Sequence, residues 1–138
     1  MMHVKNLIIG GGLSGLSLAR LLHRSGQSFT VLEARDRLGG RIDGHVSKGE
    51  VFDLGPAWFW PGQQRIADLI QSLGIKWFEQ FSDGLAVYED EQARRQSVRG
   101  IASMAGSFRV SGGVNSLISA LIEGLPRHQI LNNQEGTK

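Results

Sequence analysis

The chain is predicted to fold as an α/β domain around a parallel strand-helix-strand unit, with a small antiparallel excursion, and three observations predict it. Val4 to Ile9 is a short apolar run, the texture of a strand buried on both faces of a parallel sheet. It ends in Gly10-Gly11-Gly12 and is followed from Leu13 to Ser25 by a helix-like pattern, in which Leu18, Leu21 and Leu22 fall three and four apart and Gly26 supplies the stop. A second apolar run, Phe29 to Leu32, ends at Glu33, so strand, turn, helix and strand fit into about thirty residues.

The later elements follow from local chemistry. Arg35 to Arg41 is a charged loop containing glycine, and Val46 to Asp53 is expected to form two short strands turning at Lys48-Gly49. Ile66, Leu69, Ile70 and Leu73 keep the spacing of one helical face, and Gly74 ends that helix. Ile75 to Phe78, Leu85 to Tyr88 and Ala93 to Val98 are expected as three strands of an antiparallel meander. Leu117, Ile118, Leu121, Ile122 and Leu125 line a last helix, entered through Ser111-Gly112-Gly113 and closed by Pro126. Gln129 to Leu131 is a final strand, and the polar tail from Asn132 to Lys138 is expected to fray.

Composition removes several classes of function. The 138 residues suffice for one compact domain, and the 19 glycines follow no repeating period, which leaves them to specific turns. A net charge of +2, with no concentrated basic run, is no footprint for nucleic acid. The absence of cysteine excludes a disulfide framework, cysteine-ligated metal and a thiol nucleophile. Leu7 to Leu22 is broken by glycine, serine and Arg20, so neither a signal peptide nor a membrane span is expected, and the default compartment is the cytoplasm. His3, His23, His45 and His128 lack metal-ligand spacing, so no metal is assigned. Arg94, Arg95 and Arg99 are read as a solvated strand face, Ser14 has no base beside it, and Asp53 and Glu50 cannot be paired as acid and base from spacing.

Gly10, Gly12 and Gly15 spell G-x-G-x-x-G in the context that gives the motif meaning, between a strand and a helix. The first allows a tight turn, the second lets a pyrophosphate approach the backbone, and the third permits close helix-strand packing. The free N–H groups and positive dipole end of the helix then stabilise phosphate charge. Glu33, about twenty residues on, stands where a carboxylate accepts from ribose hydroxyls and repels a 2'-phosphate. The pattern predicts a Rossmann-like FAD/NAD(P)-binding fold that prefers FAD or NAD over NADP. Glu33→Ala is expected to weaken that binding and leave the fold largely intact.

The continuation Glu33-Ala34-Arg35-Asp36-Arg37-Leu38-Gly39-Gly40-Arg41 resembles flavin-dependent amine oxidases. So do Phe52-Asp53-Leu54-Gly55-Pro56-Ala57-Trp58-Phe59-Trp60-Pro61-Gly62-Gln63 and Arg109-Val110-x-Gly112-Gly113. The resemblance implies a glutathione-reductase-like fold, FAD as cofactor, and backbone contacts from Gly10, Gly12, Leu13, Ser14, Gly15, Ala34, Gly40, Gly55, Pro56 and Ala57. It implies side-chain contacts from Glu33, Arg35 and Arg41. Trp58 either packs near the flavin or belongs to the core. By the same resemblance, 1–60 is the FAD-binding unit with its flavin-contacting loop, 61–106 begins a substrate-domain excursion, and 107–138 returns to the FAD domain.

The implied activity is oxidation of a C–N bond in a small amine, with hydride transfer to FAD and re-oxidation by oxygen, here in an incomplete, truncated N-terminal portion. The residues that would sandwich the amine cannot be assigned, and the catalytic residues stay unknown. An unpaired edge beside the first strand is expected to bring marginal stability, self-association or dependence on a complementing chain. Two alternatives remain at this stage: a non-catalytic fragment that binds FAD or a partner, and an NAD-binding Rossmann module.

Overall fold

A computed structural model describes residues 4–99 and 104–135. His3 and the last three residues of the polar tail lie outside the described residues. The first strand, β1 (Asn6–Ile9), runs into helix α1 (Leu13–Arg24), which returns to β2 (Phe29–Leu32). β1 and β2 pair in parallel, Ile8 opposite Val31, as the short apolar runs predict. A hairpin follows, β3 (Gly44–Ser47) and β4 (Glu50–Asp53), turning at Lys48 (φ 50°) and Gly49 (φ 84°), two left-handed residues that match the strand twist. Helix α2 (Gln64–Ser72) ends at Gly74 (φ 67°), whose left-handed backbone closes the helix.

Beyond α2 the pairing departs from the expected meander. β5 (Trp77–Glu79) pairs antiparallel with β8 (Phe108–Val110), while β6 (Leu85–Glu89) and β7 (Arg95–Arg99) form a hairpin of their own. The aromatic faces decide this: Phe59, Trp77 and Phe108 gather into one cluster with ring centroids 4.6–6.0 Å apart, and that drives β5 to β8. The hairpin tip is tied internally, with the Asp90 carboxylate accepting from the Gln92 and Arg94 amides. Helix α3 (Asn115–Glu123), a short 3₁₀ turn (Arg127–Gln129) and β9 (Ile130–Leu131) complete the chain. β9 adds to the far side of β2 in parallel, giving the order β1-β2-β9 and leaving β1 at an edge.

One core joins α1, α3 and one face of the sheet through Ile8, Leu16, Ala19, Phe29, Val31, Leu117, Ile118 and Leu121. Two expectations change here. α1 buries Leu16 and Ala19, with Leu22 partly buried, whereas Leu18 and Leu21 are exposed. The close approach of Gly15 to the strand sets the rotation of the helix. β1 is not buried on both faces: Ile8 is buried, but Leu7 and Ile9, which alternate with it, are 55% and 73% exposed.

The tail also differs from the frayed segment its polarity suggests. The Asn133 amide donates to the Arg35 carbonyl (3.0 Å), the Gln134 amide to the Glu33 carbonyl (2.9 Å), and the Asn132 side chain to the Asp36 carbonyl (2.9 Å). These bonds extend the β2–β9 pairing past the strand ends and fix the loop after Glu33.

Candidate functional site

The site begins with three glycines that have three different reasons to be glycine. Gly10 has φ 98°, a backbone that L side chains rarely adopt. A Cβ on Gly15 would collide with the Gly10 carbonyl oxygen and crowd Ile8, so only glycine lets α1 lie this close to the turn. Gly12 is different. Its φ of −79° suits any residue, and a Cβ there would meet nothing nearer than 3.9 Å. No demand from within the protein explains glycine at 12, and the space beside it opens into a groove of about 950 Å³.

That groove is walled by three segments that the fold brings together. Gly10, Gly12, Leu13, Ser14 and Gly15 supply the turn and the start of α1. The helix has no side-chain cap and no acidic residue in its first turn, so its positive end is free to stabilise an anion. Glu33, Arg35, Gly40 and Arg41 come from the loop after β2, and Pro56 from the segment after β4. The Gly39 amide donates to the Gly11 carbonyl (2.8 Å), which lays the second glycine pair against the first.

Glu33 is buried (7% exposed), and its carboxylate is held by the backbone: Oε2 accepts from the Gly11 amide at 2.7 Å and Oε1 from the Arg35 amide at 3.0 Å. The Arg35 amide bond is the largest influence holding this carboxyl below its ordinary range; burial opposes it, and the Gly11 amide and the Arg35 charge add to it. Glu33 therefore also closes the turn, and Glu33→Ala would leave the buried Gly11 N–H without its acceptor. Beside the expected loss of binding, this substitution therefore carries a cost to stability, on the order of 1–3 kcal/mol for a buried donor left unpaired.

Four sequence-predicted positions stand outside the groove lining. Ala34 is exposed next to Glu33, and Ala57 is buried. Gly55 lets the chain pass the Arg41 carbonyl, where a Cβ would collide. Trp58 is 41% exposed; its indole N–H donates to Gln80 Oε1 (2.9 Å), and the Arg109 guanidinium lies 5.9 Å from its ring centroid. Of the Trp-Phe-Trp triplet only Phe59 is core.

Sequence reasoning missed Ile9, Arg37, Ile42, Asp43 and Leu54 as groove residues, whereas Gly39, read from the sequence as letting the main chain pass close to a diphosphate, does line the groove. Arg37 lay within the quoted string, but nothing in the spacing revealed that it pairs with Asp43 (3.3 Å). Asp53, unassigned from sequence, is a buried tie. Oδ1 accepts from the Val114 amide at the start of α3 (2.8 Å) and Oδ2 from Arg109 (3.2 Å), with 3% of the side chain exposed. Among the described residues no group of three or more His, Asp or Glu side chains is placed to hold a metal ion.

The chain is 32% identical over 119 residues to putrescine oxidase of Kocuria rosea, matching 86% of this chain but 24% of that protein. It is 43% identical over 74 residues to human flavin-containing amine oxidase B, covering 53% of this chain and 14% of the relative. Among solved structures, cyclohexylamine oxidase from Brevibacterium oxydans superposes with a TM-score of 0.85 over 97% of this chain at 14% identity, a likeness of fold. Wild-type putrescine oxidase bound to putrescine superposes with a TM-score of 0.64 over 72% of this chain, at 36% identity and 22% of that structure. The chain thus spans about a quarter or less of the length of these curated relatives. The model of flavin-containing amine oxidoreductases matches residues 13–134, nearly the whole chain, which therefore belongs to that family.

Proposed function

We propose that the groove binds FAD and that the chain is the FAD-binding portion of an oxidase acting on the C–N bond of a small amine. The observation that carries the reading is Gly12, a glycine with no steric or conformational need of its own, set at an uncapped helix start and facing the second glycine loop. That is the cradle a diphosphate needs. The α1 start and the Gly39-Gly40 turn would hold the diphosphate, and Arg41, exposed on the groove, would neutralise part of its charge. Glu33, with both oxygens already fixed by backbone donors, has lone pairs left that would accept from ribose hydroxyls, and its charge would disfavour a 2'-phosphate.

When bound, FAD supplies the two-electron acceptor for amine oxidation and passes the electrons to oxygen. The contribution of this chain is to bind and orient it. Family membership, with relatives that include putrescine and polyamine oxidases, supports a small aliphatic amine as the substrate class.

The reading is tested by titrating the purified chain with FAD and with NAD while following flavin fluorescence and thermal unfolding. A ligand that binds the folded state raises the unfolding midpoint as RT ln(1 + [L]/Kd) requires. Stabilisation by FAD and none by NAD is expected; the reverse would overturn the assignment. Peroxide release with putrescine as substrate then asks whether the bound flavin turns over.

A further inference from the structure

We propose that Arg37 is a positioning residue for the cofactor, acting through the glycine loop and not by touching the phosphate; the cofactor half of this inference rests on the FAD reading above. Its guanidinium turns inward on its own loop. Nη2 donates to the Gly40 carbonyl (3.1 Å), Nη1 to the Ile42 carbonyl (3.3 Å) with a longer 3.5 Å contact to the Leu38 carbonyl, and Nη2 also pairs with Asp43 (3.3 Å). The fork spans both sides of the Gly39-Gly40 turn, where φ is 108° and 61°.

Two consequences follow for the groove. A turn of two left-handed glycines has little stiffness of its own, because glycine visits many backbone conformations. Arg37 replaces that missing stiffness with a planar, preorganised donor set. Carbonyl oxygens facing an anion would also repel it. By gathering the Gly40 and Ile42 carbonyls, Arg37 directs those dipoles onto itself, at the border of the groove it lines. Lysine keeps the charge but cannot bridge both carbonyls in one plane, so the proposal separates a clamp from a point charge.

The test compares wild type, Arg37→Lys and Arg37→Met in two measurements. Amide hydrogen exchange on the ligand-free chain reads the loop directly, through the Gly39 amide on the Gly11 carbonyl and the Ile42 amide on the Gly39 carbonyl. In both variants these amides should exchange about tenfold faster or more, while Phe29 and Val31 in the core keep their protection. FAD affinity should fall by about tenfold or more in both, and added guanidinium ion should recover part of the Arg37→Met loss. Unchanged exchange at Gly39 and Ile42 would overturn the clamp. Arg37→Lys behaving as wild type would also overturn it, by making Arg37 a simple charge. Faster loop exchange in a chain that takes up no FAD in any form would uphold the clamp and sink the FAD reading.

Discussion

Gly12→Ala separates a glycine required by folding from one required by a ligand. The added methyl adopts an allowed backbone, φ −79° and ψ −179°, and its nearest neighbours, the Gly39 carbonyl oxygen and Gly40 Cα, lie at 3.9 Å, ordinary van der Waals contact. A glycine replaced by alanine at such a site stabilises a protein by roughly 0.4–1 kcal/mol, because the unfolded chain loses freedom. The ligand-free unfolding midpoint should stay level or rise by a few degrees, on the order of 2–6 °C per kcal/mol for a chain of this size. The same methyl points into the space a diphosphate would occupy, and overpacking of that kind costs about 1–3 kcal/mol, roughly fivefold to 150-fold in affinity. Circular dichroism melts without ligand and a fluorescence titration with FAD provide the two numbers. A fall of several degrees in the ligand-free midpoint would show that Gly12 serves the fold, and unchanged FAD affinity would show that the diphosphate does not pass there.

Further expectations concern the groove's supports. Gly15→Ala should destabilise the ligand-free chain outright, since its Cβ collides with the Gly10 carbonyl; a midpoint equal to wild type in thermal melts would refute the packing argument. The ionised Glu33 is favoured in the folded state, where its carboxyl is held below the ordinary 4.5. The stability it supplies is complete above the ordinary carboxylate range and is lost as pH falls through the depressed folded value. Urea midpoints measured between pH 7 and pH 3 should therefore fall more steeply in wild type than in Glu33→Gln, and parallel curves would contradict the linkage. Asp53→Asn should cost about 1–3 kcal/mol by weakening the bonds to the Val114 amide and Arg109, read as a lower urea midpoint at constant slope. Leu117→Ala, at a fully buried position, should cost about 2–5 kcal/mol by the same assay.

What the sequence discloses here follows the range over which its signals act. The β1-α1-β2 unit, the Lys48-Gly49 hairpin turn, and the helices stopping at Gly74 and entered through Gly112-Gly113 are written in local period and turn chemistry. So is the convergence of Gly10–Gly15 with Glu33. What stayed hidden depends on partners distant in sequence. The aromatic cluster pairs β5 with β8, Asp53 reaches Val114 and Arg109, and the polar segment after β9 becomes ordered on the loop after Glu33. The misphased helix face has the same origin: Leu18 and Leu21 fit a stripe as well as Leu16 and Ala19 do, and only the contact at Gly15 chooses between them.

The bonds from Asn132, Asn133 and Gln134 to the loop of Glu33, Arg35 and Asp36 bear on the order in which the site is assembled. The turn and Glu33 lie within a unit whose strands are joined by one short helix, so their pairing is local in sequence, while the core beneath them is completed only by α3. The Asn132–Asp36 contact spans 96 residues, and closing so long a loop is slow relative to local pairing. The glycine turn and Glu33 are close in sequence, whereas the loop after Glu33 gains its last restraint only once the chain has been made to about residue 134. A nascent chain halted before β9 would carry the glycine motif and still lack the hydrogen bonds that secure the loop after Glu33.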